Sequence, residues 1–326
     1  MTTTALQHPL PDASPLIYGC MGLGGGWNSQ PLSEADIDRA QAAVEAALDI
    51  GITRFDHADI YTHGKAEACF GALFKRQPAL RQRLRLQSKC GIRFADKQGP
   101  GRYDLSAAHI ERSVEASLQR LGSERIELLL LHRPDPLLEP AEVAEAFARL
   151  RAAGKVGQLG VSNMNAAQMQ WLASALDAPL AANQLELSLA RLDAIEAGTC
   201  FNDTQALQRP GSLAWAGTLE YCQRERIPVQ AWGALAQGLY SGRAGADAAP
   251  AVTRSAALVR ELAEQHATAP ESIVLAWLMR HPAGIQPVIG TADPVRIRAC
   301  GDAARIRLSR EDWYALYVAA RGQALP

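Results

Sequence analysis

Short apolar runs alternate with longer stretches of helical period along almost the whole chain. The runs predict strands at 16–21, 53–57, 84–89, 127–132, 157–162, 181–187, 228–232 and 286–289. Between and after them, apolar residues recur every three or four positions near 33–50, 65–76, 106–121, 139–153, 165–176, 212–225, 251–266 and 293–300, which predicts helices. Some boundaries carry their own chemistry. Ser106 suits an N-cap, with Ile110, Val114, Leu118 and Leu121 along one helix face and Gly122 as the stop. Thr268, Pro270 and Glu271 have the form of a capping box. Ser309 and Asp312 open a terminal helix with Trp313, Leu316, Tyr317 and Ala320 on its apolar side.

Eight strand–helix alternations in 326 residues predict parallel strands buried on both faces, closed into an α/β (β/α)8 TIM barrel. The barrel is expected over 15–326 as one domain with a C-terminal helix, behind a flexible polar segment at 1–14. A doubly wound sheet would instead carry an early GxGxxG loop. In GCMGLGGG, Gly22, Gly24, Gly25 and Gly26 lack that spacing, and the next helix begins only near 33. The stretches 92–105, 188–211 and 238–250 read as loops, and a barrel places such loops at its mouth.

Composition narrows the class. With 33 basic and 34 acidic residues the net charge is -1, which gives none of the positive field of a dedicated nucleic-acid binder. The 48% apolar content supports a large core. No 20-residue apolar span or signal-like start appears, so a cytoplasmic protein without membrane contact is expected. Cys20, Cys69, Cys90, Cys200, Cys222 and Cys300 form no CxxC pair and read as reduced thiols. The basic run Arg76, Arg81, Arg83, Arg85 reads as an exposed helix end. A monomer is favoured over a dimer.

Three successive strands deliver an ionisable group to the same end. Asp56 closes the strand in TRFDHADIY, Lys89 closes RLQSK, and His132 closes ELLLLH, while Tyr61 follows Asp56 in the loop. Burying an ammonium calls for a carboxylate partner, which Asp56 supplies. An ammonium beside Tyr61 is expected to lower the phenol's pKa and ease proton donation to a developing alkoxide. His132 would orient the carbonyl oxygen. His57, Asp59 and His63 permit a metal site on paper, but loop hydrogen bonds around Tyr61 are the favoured reading and no metal is expected.

The segments GITRFDHADIY, QSK, LLLLHRPD and GKVGQLGVSN together resemble the aldo-keto reductase superfamily, and the resemblance spans nearly the whole chain. It looks closest to the bacterial general aldo-keto reductases. The resemblance implies a nicotinamide-dependent oxidoreductase that interconverts small carbonyl compounds and alcohols, usually with NADPH and here with NADH also open. Asp56, Tyr61, Lys89 and His132 then match the catalytic tetrad, with Tyr61 as general acid. Ser162, Asn163 and Gln184 match nicotinamide carboxamide positions, and Trp232 matches an aromatic that stacks on the ring. Gly233, Leu235 and Gly238 fit a phosphate loop; Gly290, Thr291 and Arg296 fit the adenosine end. Ala292, Ala299 and Cys300 depart from the usual pattern there, which weakens the expectation of NADPH preference. Arg296 and Arg298 cannot share a helix face. Glu67 matches a frequent acidic position, open to a structural or a loop-organising role. Trp27 is the candidate substrate wall. A non-catalytic nicotinamide-binding barrel is the alternative.

Overall fold

The computed structural model describes residues 15–199, 201 and 214–325. The expected segment 1–14, Cys200 and most of the second half of the 188–211 stretch lie outside the described residues. Eight parallel strands close a barrel: β1 (Ile17–Gly19), β2 (Arg54–Asp56), β3 (Arg85–Cys90), β6 (Ile126–Leu131), β7 (Val156–Ser162), β8 (Asn183–Glu186), β9 (Val229–Trp232) and β10 (Gln286–Ile289). Each pairs with its neighbours in chain order, and β1 closes on β10 through Ile17 opposite Val288. The β4 (Ile92–Arg93) and β5 (Arg102–Tyr103) pair is an antiparallel hairpin beyond β3.

The strands have period two, and the two faces have different chemistry. Leu129 and Leu131 of β6 join the apolar shell between barrel and helices, whereas Leu128 and Leu130 meet Ala181 and Ala182 in a separate cluster. The interior also contains a polar belt. Gln87 and Gln230 exchange side-chain hydrogen bonds at 2.8 and 2.9 Å, Gln184 donates to Gln230 at 3.0 Å, and Arg54 donates to Gln286 at 3.0 Å. Pairing lets these amides be buried without the cost of orphaned polar groups.

The helices begin and end where local chemistry supports them. Ser33 and Asp36 form a reciprocal capping box on helix Glu34–Asp49. Ser106 caps helix Ala107–Leu121, and Gly122 ends it in the left-handed conformation (φ 58°). Asn165 and Gln168 form a reciprocal capping box on helix Ala166–Ala173. Ser309 caps helix Arg310–Arg321.

Several expectations need correction. The capping box at Thr268 does not form: Pro270 occupies the first turn, Ala269 is the cap without a side-chain bond, and Thr268 donates to Asp302 at 2.9 Å. Within the stretch 212–225 expected as one helix, Thr218–Arg224 is helical after a turn at Gly217 (φ 70°), and residues 212–213 lie outside the described residues. The stretch 92–105 is not all loop. Its hairpin is tied by Arg93, which donates to Asp104 and Asp96 at 2.9 and 2.8 Å. The basic run does begin at an exposed helix end, as expected: Arg76 closes helix Lys65–Arg76 and pairs with Glu34 and Asp38, and Arg81 pairs with Glu127. Among the described residues no helix is long and apolar enough to cross a membrane, and Cys20, Cys69, Cys90, Cys222 and Cys300 are free and buried.

Candidate active site

Alternation along β2 and β3 sends Asp56, Gln87 and Lys89 inward, while Phe55 packs on Phe70 and Ser88 reaches Glu67 on the outer side. Lys89 is 1% exposed, and its ammonium donates to Asp56 Oδ2 at 2.7 Å, the His57 carbonyl at 2.9 Å and the Tyr61 hydroxyl at 2.8 Å. Three acceptors match the three protons of the ammonium. Gln87 Nε2 donates to Asp56 Oδ1 at 2.5 Å, so both carboxylate oxygens are held. His132 sits at the end of β6, with its ring edge-on to Tyr61 at 6.0 Å between centroids.

Burial raises the Tyr61 pKa, and the Asp56 charge adds to this; Lys89's charge and hydrogen bond pull the other way without reversing it. The expected net lowering is therefore corrected: removing a phenolate from water costs more than the adjacent ammonium returns. Tyr61 keeps its proton. Burial would lower the Lys89 pKa, but Asp56 and Tyr61 together raise it above the usual lysine value. For His132, burial first and then the Lys89 and Arg133 charges push the pKa down to about 2. The imidazole is neutral at ordinary pH, and its Nδ1 has no hydrogen-bond partner among the described residues.

Across the mouth, Ser162 donates to the Gln184 carbonyl at 2.9 Å, Asn163 Nδ2 to Ser162 at 2.8 Å, and Trp232 Nε1 to Asn163 Oδ1 at 3.2 Å. Asn163 is held at φ 59°, a left-handed conformation that Asn tolerates better than most residues. Four positions thus form one connected polar edge. Past β9, Gly233, Ala236, Gln237 and Gly238 have positive φ. Turns in which successive backbone N–H groups converge form anion-binding concavities. At Gly238 the left-handed backbone (φ 86°) favours glycine, and an added Cβ would stand 2.6 Å from Arg296 Nη2 and 2.9 Å from Arg243 Cδ, so both arginine side chains would have to shift. Leu235 lies in the same turn. Gly290 is exposed just beyond β10, and the Thr291 hydroxyl accepts from Asp293 N–H at 3.2 Å.

Arg296 approaches Ser241 and Glu271, each at 3.4 Å, while Arg298 pairs with Asp49 at 2.9 Å on the other side of its helix. Their divergence follows from the two-residue spacing. The polar edge of Ser162, Asn163, Gln184 and Trp232, the positive-φ turn and the Arg296 guanidinium are chemically suited to hold a nicotinamide dinucleotide. Trp27 is half exposed at the rim, edge-on to His63 at 5.8 Å, and His63 lies 5.1 Å from Phe94. Tyr240 is 3% exposed and packs into the core.

The remaining residues fall into structural roles. Glu67 is fully buried, accepting from Ser88 at 2.6 Å and pairing with Arg120 at 2.7 Å. His57 lies edge-on to Phe70 at 4.3 Å, and no group of three or more potential metal ligands occurs among the described residues. Sequence reasoning did not single out Gln87, Gln230 or Arg133. Gln87 and Gln230 stand two positions before Lys89 and Trp232, a spacing that puts them on the same strand face.

Residues 15–319 match the profile of the Aldo/keto reductase family. A 6-dehydroglucose reductase from Agrobacterium fabrum is 36% identical over 328 residues, covering 99% of each chain. The oxidoreductase YdhF of Escherichia coli is 36% identical over 286 residues, 87% of this chain and 88% of its own. An aldo-keto reductase from Klebsiella pneumoniae, solved in complex with NADPH, superposes with a TM-score of 0.70 at 26% identity, covering 93% of this chain and 90% of that one. The chain belongs to the aldo/keto reductase family of NAD(P)H-dependent oxidoreductases.

Proposed function

We propose that this protein uses NADPH to reduce an aldehyde or ketone to the alcohol, with Tyr61 as general acid. The observation that carries the reading is the single buried ammonium of Lys89, which touches both a carboxylate and the phenol that would exchange the proton. When bound, the cofactor supplies hydride to the carbonyl carbon. The chain's own residues do the rest. Ser162, Asn163 and Gln184 address the carboxamide, and Trp232 offers an aromatic face. Gly233, Leu235, Gly238, Gly290, Thr291 and Arg296 address the phosphates and the adenosine end.

Tyr61 gives its proton to the carbonyl oxygen as negative charge develops there. A phenol with a raised pKa is still far more acidic than an alcohol, so the transfer runs toward the alkoxide. The phenolate left behind faces the Lys89 ammonium, which Asp56 keeps charged and aimed. His132, neutral, hydrogen-bonds the same oxygen, and Trp27 lines the approach. In alcohol oxidation the same tyrosine acts as base. The name of the Agrobacterium relative makes a sugar-derived aldehyde the first substrate to try.

The test is Tyr61→Phe, which keeps the ring and removes the proton. Turnover is expected to fall by about 100-fold or more while NADPH binding persists. Near-normal turnover by the variant sinks the assignment, and NADPH binding without oxidation across a carbonyl panel sinks the enzymatic reading.

A further inference from the structure

Arg133 follows His132 directly at the end of β6, and its half-buried guanidinium lies 5.9 Å from the centre of the Trp232 ring. It therefore reaches from one strand end toward another across the mouth, and its charge contributes to holding His132 neutral. Among the described residues it has no ion pair and no hydrogen bond. The nearest acid in sequence is already engaged, since Asp135 accepts the N–H groups of Leu105 and Leu137, both at 2.9 Å. Elsewhere at the strand ends, Asp56 is held by Lys89, and Glu186 faces Arg191 at 3.4 Å.

A partly desolvated guanidinium without an acceptor is costly, and its planar fork is shaped for two oxygens side by side. A simple alkyl aldehyde offers no oxygen beyond the one already addressed by Tyr61 and His132. We infer that Arg133 is a specificity-determining residue that reads a second oxygen function of the substrate, a pair of hydroxyls or a carboxylate carried near the reacting carbonyl. This rests on the carbonyl-reductase reading and deepens it. Trp232 supplies the platform beside the fork, and the catalytic proton transfer does not involve Arg133.

The experiment compares wild type, Arg133→Ala and Arg133→Lys on glyceraldehyde, glyoxylate and propanal at saturating NADPH. In Arg133→Ala the kcat/KM ratio of an oxygen-bearing substrate to propanal is expected to fall at least about tenfold, chiefly through KM. Arg133→Lys keeps the charge but not the fork and is expected to fall between the two. A drop confined to glyoxylate assigns the carboxylate, and one confined to glyceraldehyde assigns the hydroxyl pair. If Arg133→Ala does not fold, Arg133→Lys carries the same ratios. Ratios within twofold of wild type, an equal loss on propanal, or a matching rise in the KM for NADPH overturn the inference and leave carbonyl reduction standing. A wild type that binds NADPH and reduces none of the three overturns the underlying function, and the inference with it.

Discussion

Asp59 stands two positions before Tyr61, and its Oδ1 is buried without a hydrogen-bond partner among the described residues. Burial first, and the Glu67 charge second, raise its pKa to about 7 against the opposing pull of Arg120 and of hydrogen bonds from Ser113 and Ile60. The folded chain therefore holds a proton between about pH 4 and 7 that the unfolded chain releases. Stability contributed at this site is present in acid and lost as pH rises toward 7, at a limiting cost on the order of 4 kcal/mol. Asp59→Asn removes the charge at nearly constant shape. We expect a flatter dependence of the urea midpoint on pH across that window and a more stable protein at pH 8. An unchanged slope would show that another group sets it. Sequence made the tetrad legible at this scale because Asp56, Lys89 and His132 are ionisable groups ending otherwise apolar strands. It did not show Gln87, whose amide reads as ordinary strand polarity until Asp56 is seen beside it. The net direction of the Tyr61 pKa was also invisible, because it depends on how much water the fold removes.

Glu67 links three elements: helix Lys65–Arg76 carries it, β3 supplies Ser88, and helix Ala107–Leu121 supplies Arg120. The link requires the two helices to approach closely, and Gly71 permits it. An added Cβ there would overlap the Arg120 carbonyl oxygen. Gly71→Ala is expected to cost about 1–3 kcal/mol, read as a lower urea midpoint. A midpoint equal to wild type would mean that the helices separate without penalty. Element ends were readable wherever one side chain caps one backbone group, as at Ser106, Gly122 and Ser309. They were unreadable where proline and tertiary contacts compete, which is why Thr268 serves Asp302 instead of its own helix. The β4–β5 hairpin was missed because two-residue strands have no period to read; a cluster of arginines and aspartates holds them.

At the scale of the whole molecule, closure in chain order brings distant segments to one rim. The turn after β9 and the helix after β10 are adjacent there, so Gly238, Ser241 and Arg296 converge although their segments read separately. The eight-fold alternation made the barrel legible, but the alternation carries nothing about which rim arginine faces a ligand. Spacing showed only that Arg296 and Arg298 diverge. The structure gives the sides: Arg296 faces the β9 turn and Glu271, and Arg298 faces Asp49. The contacts of Arg296 at 3.4 Å are long for charge-assisted bonds, which leaves its donors available to a phosphate. We therefore expect Arg296→Ala to raise the dissociation constant for NADPH at least about tenfold while changing that for NADH by less than about threefold, measured by fluorescence titration. Arg298→Ala is the control and is expected to leave the ratio of the two constants within about twofold, because its partner is a surface carboxylate. Equal weakening of both cofactors by Arg296→Ala would assign Arg296 to the shared part of the dinucleotide, and the extra phosphate of NADPH would then have to be held elsewhere on the rim.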